Sequence, residues 1–544
     1  MNRLKILVAA LGLSAMSLVA QQTAQIEQLM DSAQYAEAEQ LCTAELKKAP
    51  KNGRLYYWRS LAYLMQEEYG KALQDIDMIF KYAKTSGLSV SNIYELRAAM
   101  YEEIGENQKA LDDYTTAIKK DKKNDRAYAQ RGKLYYDLAN YTAALADYQA
   151  ASKLAPTNDD YLVKIARCLL VLGQVDEARA TLTSVTTLYP NNANAWQLLS
   201  LLSLSEGNIT ESIDQQIRYL NLSYKNTGEF GDARLLVAAA DTQYPYLLNA
   251  ISEQINQNTG YPKAFYRSML VLVYMKKEYY EDAIKELNTL ETETTNPFIL
   301  ATRAECYQKL YKYRKAIADY TALLQIDEEY ATYRLHRGNC YLAIDDFKNA
   351  INDYSYVIQN IPSSADFAYY LRAMAQFEQK KYDAALSDIS RSIELNPDAG
   401  LYIWRGRLHL VKGDTVQAKA DFEQVLALDT TYDNSARQYA LHYLGQDAEA
   451  LAWMDSILVK DPSKGNYYDA ACLNALMGRS EQALDAFEKS ISMGYRDFHH
   501  IAFDTDLDSI RNLPRFTEIL DKCRQQELQR KFDQLQEIST SQKE

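Results

Sequence analysis

Arginine and aspartate recur in this 544-residue chain at a fixed distance of 16 positions. The seven pairs are Arg59/Asp75, Arg97/Asp113, Arg131/Asp147, Arg303/Asp319, Arg337/Asp353, Arg372/Asp388 and Arg405/Asp421. In a helical hairpin that turns midway, residues 16 apart on opposite helices face each other. Each pair can therefore form an ion pair inside one hairpin, and a row of arginines that grips a ligand is the alternative. We favour the ion pair, because a half-buried arginine without its acid would be costly.

The other residue types that carry chemistry do not form a known catalytic or metal-binding pattern. The five histidines lack metal-ligand spacing on one helix face; they are His336, His409, His442, His499 and His500. Asp504, Asp506 and Asp508 alternate like the start of a calcium loop, but the glycine and the distal glutamate of such a loop are missing, which favours helix capping. No P-loop, zinc-protease, nucleophile-elbow or dinucleotide-binding motif occurs. The sequence thus predicts no enzyme activity, no catalytic residue, no metal and no cofactor.

The six cysteines are compatible with disulfides or with buried thiols. Four of them, Cys168, Cys306, Cys340 and Cys472, fall inside apolar-periodic helical stretches beside Ala or Leu. Cys306 and Cys340 occupy equivalent repeat positions, which stacking would hold about 10 Å apart, beyond disulfide reach. We therefore predict buried free thiols.

A small residue recurs through most of the chain and sets the repeat. It occupies positions Ala38, Ala72, Ala110, Ala144, Ala178, Ser212, Ala283, Ala316, Ala350, Ala385, Ala418, Ala450 and Ala483. Each block between these positions contains two stretches with helical apolar spacing around a short turn. With only 19 glycines and 10 prolines, an all-β sandwich is disfavoured.

One block shows the full pattern of the repeat. It has Arg131-Gly132 in its first helix and Asp147-Tyr148 in its second, with Ala144 between. Small residues let the two backbones approach, and tyrosines fill the space between successive pairs. The pattern resembles the tetratricopeptide repeat family over about residues 21–494. The resemblance implies an all-α fold, a right-handed α–α superhelix (solenoid) of about 13–14 helix pairs with a C-terminal helical cap.

The N-terminus predicts export. Arg3 and Lys5 precede an apolar run, and small residues follow up to Ala20, as in a Sec-type signal peptide cleaved after Ala20. An amphipathic first helix is the alternative, but residues 6–13 have no polar face. No later stretch has the length of a transmembrane helix. We expect a periplasmic or otherwise exported protein.

The predicted organisation has six parts. They are a signal peptide (1–20), an N-terminal array (21–226), a degenerate helix pair where glycine and proline break the register (227–263), a C-terminal array (264–494), capping helices (495–523) and a charged tail (524–544).

A protein or peptide partner is predicted, because the family resemblance implies binding in a concave groove lined by first helices. In the C-terminal half the groove positions are Phe367, Tyr370, Phe377, Arg407, Tyr439, His442 and Tyr443, and six of these, without His442, are expected to form one exposed strip. Aromatics with an occasional arginine are typical of interface hot spots, although ordinary core between repeats is an alternative. A glycan-binding protein that uses the same aromatics is the second functional hypothesis.

The charge of the chain bears on the partner. Acidic residues around Glu95, Glu102 and Glu103 indicate a second patch that would suit a basic partner. The net charge of −13 disfavours nucleic acid as a partner. The predicted function is an exported scaffold or adaptor in cell-envelope assembly.

Overall fold

The fold is built of helices throughout the part of the chain that the structure describes. The structure is a computed structural model and describes residues 18–293, 296–327, 330–428 and 436–526. Within these ranges no residue lies in a strand. The chain divides into two compact units, with the boundary between Leu235 and Leu236. No described helix is both long and apolar enough to cross a lipid bilayer.

The first unit contains six helix hairpins and one additional short helix. Its helices are α1 (Leu18–Asp31), α2 (Tyr35–Lys48), α3 (Gly53–Met65), α4 (Tyr69–Lys81), α5 (Ala83–Ser86), α6 (Val90–Glu103), α7 (Asn107–Lys120), α8 (Asp125–Asp137), α9 (Tyr141–Leu154), α10 (Asp159–Val171), α11 (Val175–Leu188), α12 (Ala193–Ser205) and α13 (Ile209–Thr227). The short α5 accounts for the extra residues between Ala72 and Ala110, which are 38 positions apart. Helix α14 (Arg234–Ala239) contains the boundary between the two units.

The second unit contains seven hairpins and a C-terminal cap. Its helices are α15 (Tyr244–Gln257), α16 (Gly260–Lys276), α17 (Tyr280–Glu293), α18 (Pro297–Lys309), α19 (Tyr313–Ile326), α20 (Ala331–Leu342), α21 (Phe347–Asn360), α22 (Ala365–Glu378), α23 (Tyr382–Leu395), α24 (Ala399–Lys412), α25 (Thr415–Leu428), α26 (Ala436–Tyr443), α27 (Asp447–Lys460), α28 (Lys464–Leu476), α29 (Ser480–Ser492), α30 (Phe498–Phe503) and α31 (Asp508–Arg511). Short 3₁₀ turns occupy Pro362–Ser364 and Thr505–Leu507, and a last helix occupies 514–526.

Burial of the recurring small residue explains why each block folds into a hairpin. All thirteen positions from Ala38 to Ala483 are at most 1% exposed, because each lies where the second helix meets the first. On the opposite helix, Gly132 shows how little space is left for a side chain. A Cβ at this position would lie 3.1 Å from the Cβ of Asp147 and 3.3 Å from the carbonyl oxygen of Ala144. The close approach therefore requires small side chains on both helices, which confirms the all-α array of helix pairs.

Every hairpin turns through one residue in the left-handed region of backbone conformation. Six of these residues are glycines, and the other seven are Ala33, Glu67, Ala139, Glu278, Tyr311, Asp345 and Lys380, with φ between 57° and 62°. Non-glycine residues adopt this conformation at a cost of about 1 kcal/mol or more. Packing of the two helices supplies the compensation, which explains how the chain turns so often with so few glycines.

The predicted ion pairs are present in all seven hairpins. In the hairpin of α8 and α9, Arg131 Nε and Nη2 donate to the two carboxylate oxygens of Asp147 at 2.8 and 2.7 Å. The third nitrogen, Nη1, donates to Thr115 Oγ1 in α7 at 2.9 Å. The aspartates are buried, and a fork of this kind is the strongest form of guanidinium–carboxylate contact. The arginines therefore fix each hairpin and also join it to the preceding one, so they are not available to grip a ligand.

The segment predicted as a degenerate pair contains two helices. Helix α13 ends at Thr227, five residues after the end expected from the repeat length, and Gly228 follows it with a φ of 76°. Helix α14 has only six residues, and α15 packs against α16. The bounds of this segment, 227–263, remain a prediction.

The C-terminal cap covers the apolar face of the last hairpin. Ile501, Leu507, Ile510, Phe516 and Ile519 are buried against α28 and α29. A solenoid needs such a cap, since its last repeat has no neighbour. Residues 1–17 of the predicted signal peptide and 527–544 of the predicted tail lie outside the described residues.

The predicted burial of the cysteines is confirmed. The residues are Cys42, Cys168, Cys306, Cys340, Cys472 and Cys523, and all six are buried as free thiols. Burial raises the pKa of Cys168 to about 11 and that of Cys42 to about 12, so these thiols stay protonated at neutral pH.

Candidate functional site

The second unit contains a cavity of about 510 Å³ between its first helices and its cap. We call this the C-terminal cavity. Helices α22, α24, α26 and α28 supply one wall, the turn between α20 and α21 supplies one end, and residues 500–506 face them. The side chains that line it include Asp345, Met374, Phe377, Glu378, Trp404, Arg407, Tyr439, Tyr468, Asp469, Cys472, His500, Asp504 and Asp506.

The helical repeat places the aromatic wall. Trp404 and Arg407 are three residues apart on α24, so both face the cavity from one side of that helix. The guanidinium of Arg407 lies 5.2 Å from the ring centre of Trp404. The ring of Phe377, from α22, meets Trp404 edge-on with centroids 6.1 Å apart. Contacts between adjacent repeats therefore hold these rings in fixed positions.

The wall opposite is held by an ion pair between distant parts of the chain. Arg407 Nη2 donates to Asp506 Oδ1 at 2.6 Å, and these residues are separated by 99 positions. Asp506 is 8% exposed. Burial raises the pKa of the Asp506 carboxyl and the nearby guanidinium of Arg407 opposes that rise. The pair keeps the cap against α24.

A second set of contacts fixes the same segment against α28. Tyr468 Oη donates to Asp504 Oδ2 at 3.0 Å, and Cys472 Sγ donates to the same oxygen at 3.4 Å. The other oxygen of Asp504 accepts from the backbone N–H of Asp506 at 3.0 Å. Asp504 thus caps the 3₁₀ turn that follows it, which confirms the predicted capping role for one of the three aspartates. Asp506 pairs with Arg407 and Asp508 with Arg511 instead, so the prediction is wrong for these two.

Burial determines the protonation of the groups inside the cavity. It raises the pKa of the Cys472 thiol well above its ordinary value, and the carboxylate of Asp504 adds to the shift. Burial also raises the pKa of the Tyr439 hydroxyl, and the negative charge of Asp469 raises it further. A protonated thiol is a weak nucleophile. The arrangement is therefore suited to binding through rings and carboxylates.

Two further carboxylates at the cavity carry no ion pair among the described residues. Asp345 occupies the turn after α20, and Glu378 is the last residue of α22. Both are exposed, and neither has a cation within salt-bridge distance among the described side chains. They leave negative charge available to a ligand.

Three of the seven predicted groove residues line this cavity: Phe377, Arg407 and Tyr439. Arg407 is bound to Asp506 and is not a free cation. The hydroxyl of Tyr439 donates to the backbone carbonyl oxygen of Asp469 at 3.3 Å. These residues belong to three successive first helices, as the repeat predicted.

The other four predicted groove residues do not line the cavity, and the strip of six residues that the sequence predicted is not formed. Tyr443 stacks on Phe422 with centroids 4.9 Å apart, and Tyr370 packs against two hydrophobic clusters. His442 Nδ1 lies 2.8 Å from an oxygen of Asp447 at the hairpin turn. Phe367 is 51% exposed and contacts Tyr370. Tyr370 and Tyr443 therefore pack between repeats, as in the alternative interpretation that these aromatics are ordinary core.

Sequence reasoning missed Trp404, Tyr468, Asp504 and Asp506 as cavity residues. Trp404 could have been predicted from the sequence, since it precedes Arg407 by three positions and so lies on the same face of the helix. The two aspartates were recognised only as caps. No local pattern indicates that Asp506 meets α24 and that Asp504 meets α28.

The acidic patch predicted in the N-terminal half is neutralised inside the first unit. Glu95 is 7% exposed; it accepts from Asn124 and lies 3.8 Å from Arg126. Glu102 pairs with Lys133 and also accepts from a tyrosine hydroxyl. The patch is therefore wrong as a basic-partner site, because the next hairpin already supplies its cations. Of the three residues named for it, only Glu103 remains exposed.

The described residues contain no group of three or more histidine, cysteine, aspartate or glutamate side chains arranged to hold a metal ion.

Comparison with solved structures returns repeat proteins of low similarity. Yeast Tom70 is 14% identical, with 79% of this chain and 99% of that chain covered and a TM-score of 0.37. A tetratricopeptide repeat protein from Parabacteroides merdae is 18% identical, covering 46% of this chain and 99% of that chain, with a TM-score of 0.35. Residues 41 to the end of MamA from Desulfovibrio magneticus are 18% identical, covering 31% and 97%, with a TM-score of 0.29. These values carry no argument about function.

Family assignment rests on the sequence. No curated protein matches the chain significantly. Three family models described as tetratricopeptide repeat match residues 23–80 and 97–159, residues 136–202, and residues 367–399. The matched ranges cover regular hairpins of both units. These residues of both units are tetratricopeptide repeats.

Proposed function

We propose that this protein is a scaffold or adaptor that binds a protein partner in the C-terminal cavity. The observation that carries the proposal is the cavity itself. Four first helices present rings and carboxylates on one side of it, and the cap closes the other side without filling it. Rigid aromatics in a partly enclosed site are the usual anchors of a protein interface.

The size of the cavity limits what enters it. A volume of about 510 Å³ is in the range of sites for small ligands or a few side chains. A whole helix does not fit such a volume. The partner therefore contributes a short segment with one or two anchoring side chains.

Export to the cell envelope is part of the proposal. The basic residues Arg3 and Lys5, the apolar run after them and the small residues before Gln21 support it. We propose that the mature protein works in the envelope, in the assembly of another envelope protein. N-terminal sequencing of the mature protein tests export: we expect Gln21 at the start, and Leu11→Arg should abolish processing. An unprocessed N-terminus in the envelope fraction would contradict it.

Site-specific crosslinking in the full-length protein tests the binding role. A photoreactive phenylalanine analogue at Met374, which lines the cavity on α22, should crosslink one defined partner in cells. The matched control carries the analogue at Val459 on α27, which is 85% exposed and lies outside the cavity. We expect crosslinks from Met374 only. Equal crosslinking from both positions, or none from Met374, would refute binding at this site.

A further inference from the structure

We infer that the C-terminal cavity binds a lysine- or arginine-bearing segment of the partner protein. This inference rests on the proposed function and adds the chemistry of the partner. It comes from the cavity's shape, its rings and its charge considered together.

Charge complementarity selects a cation. Five carboxylates line the cavity, from Asp345, Glu378, Asp469, Asp504 and Asp506. Among the described residues, the basic groups that line it are the guanidinium of Arg407 and the imidazole of His500, which is charged only when it is protonated. Arg407 is bound to Asp506, and His500 Nε2 lies 3.4 Å from Asp504. Asp345 and Glu378 have no ion pair among the described residues, and they attract a positively charged group that enters from outside.

Asp345 and Glu378 are the carboxylates that a ligand reaches first. They lie at the turn after α20 and at the end of α22, and both are exposed. Exposed acids next to a partly closed site raise the local concentration of cations and so steer a basic segment to it. Their exposure also makes them suitable for substitution, because neither side chain supports the core.

The rings favour the same ligand. Lysine and arginine side chains combine an alkyl stem with a cationic end, and aromatic faces bind both parts. The guanidinium of Arg407 already lies 5.2 Å from the ring centre of Trp404. Phe377 and Tyr439 line the same cavity. An acidic peptide would meet these carboxylates, and none of the described lining residues offers it an unpaired cation. The cavity therefore discriminates by charge between otherwise similar segments.

Binding of a defined peptide to the full-length protein tests the inference. The probe is a fluorescein-labelled nonapeptide, Gly-Ser-Lys repeated three times, measured by fluorescence anisotropy. We expect it to bind at least about tenfold more tightly than the same peptide with acetyl-lysine, which has the same stem without the charge. The version with glutamate should not bind. Raising the salt concentration should weaken binding of the lysine peptide.

Paired variants locate the binding site. Asp345→Asn with Glu378→Gln should weaken binding of the lysine peptide about tenfold, since each lost carboxylate weakens it about threefold. The matched control is Asp383→Asn with Glu394→Gln, which changes the same charge on α23, where the two side chains are 90% and 61% exposed. The control should bind the lysine peptide like the unmodified protein. Melting temperatures of both doubles should stay unchanged.

The outcomes separate this inference from the proposed function. Equal loss in both doubles, no loss in the cavity double, or equal binding of the glutamate peptide would overturn the inference. Binding of spermidine without the lysine peptide would also overturn it, in favour of a small amine. If Met374 crosslinks a partner through a segment without lysine or arginine, the proposed function stands and the charge inference fails. If Met374 gives no crosslink, the proposed function itself fails.

Discussion

Removal of one arginine–aspartate pair is the sharpest test of how the hairpins are held. In the hairpin of α8 and α9 the side chain of Asp147 is 8% exposed and that of Arg131 is 17% exposed. Asp147→Ala leaves a half-buried guanidinium without its carboxylate, and Arg131→Met leaves a buried carboxylate without its cation. Each single change should cost about 3 kcal/mol, because breaking a buried pair removes the compensation for the remaining charge.

The double variant measures the coupling between the two residues. Asp147→Ala with Arg131→Met removes both charges, so it should cost less than the two single changes summed, by about 2 kcal/mol. Alanine at position 147 keeps the Cβ that faces Gly132, so the contact between the two helices at this point is not lost. Thr115→Val removes only the contact to the preceding hairpin, and we expect a cost of about 1 kcal/mol.

Hydrogen exchange read by mass spectrometry is the appropriate assay, since a repeat array with two units does not unfold in one step. A local loss of 3 kcal/mol corresponds to about a hundredfold faster exchange in peptides from α8 and α9. Thr181→Ala is the matched control, at the equivalent position of a hairpin where Ile165 replaces the arginine; it should change exchange little. Additive losses in the single and double variants would refute the ion-pair account.

Three further predictions concern stability. Burial raises the pKa of Glu95, so the folded state binds the proton of this carboxyl more tightly than the unfolded chain does. The folded state therefore loses stability as the pH rises from the ordinary pKa of glutamate through the raised pKa. Glu95→Gln should remove this loss, which a plot of melting temperature against pH would show as a flatter curve in that range. A Cβ at Gly338 would lie 2.5 Å from a ring carbon of Tyr354, so Gly338→Ala should lower the free energy of unfolding in urea by about 1–3 kcal/mol. A Cβ at Gly70 would have no neighbour within 4 Å, so Gly70→Ala should raise the free energy of unfolding by about 0.5–1 kcal/mol. Backbone amides of residues 227–263 should exchange faster than those of the flanking hairpins, because a unit without the regular alanine and tyrosine set weakens both its interfaces; protection equal to that of the flanking hairpins would contradict this.

Periodic residues determined the repeat and its internal contacts. The thirteen small residues identify the thirteen hairpins of the described chain, since close approach of two helices at one position excludes larger side chains. The spacing of 16 between arginine and aspartate identified seven ion pairs. These contacts lie within one hairpin, so a local pattern is enough to specify them. The acceptors of the third arginine nitrogen, such as Thr115, were not recognised because they vary between the hydroxyl oxygens of Thr and Ser and the amide oxygen of Asn.

Tertiary structure decided which residues form the candidate site. Arg407 meets Asp506 across 99 positions, and Tyr311 Oη donates to the carbonyl oxygen of Arg496 at 2.7 Å across 185 positions. Contacts of this length depend on the sum of small rotations from one hairpin to the next within the second unit. No residue pattern of period 34 encodes that sum. The sequence by itself therefore determined the hairpins, and the accumulated packing of several hairpins determined that the cap closes a cavity against α24.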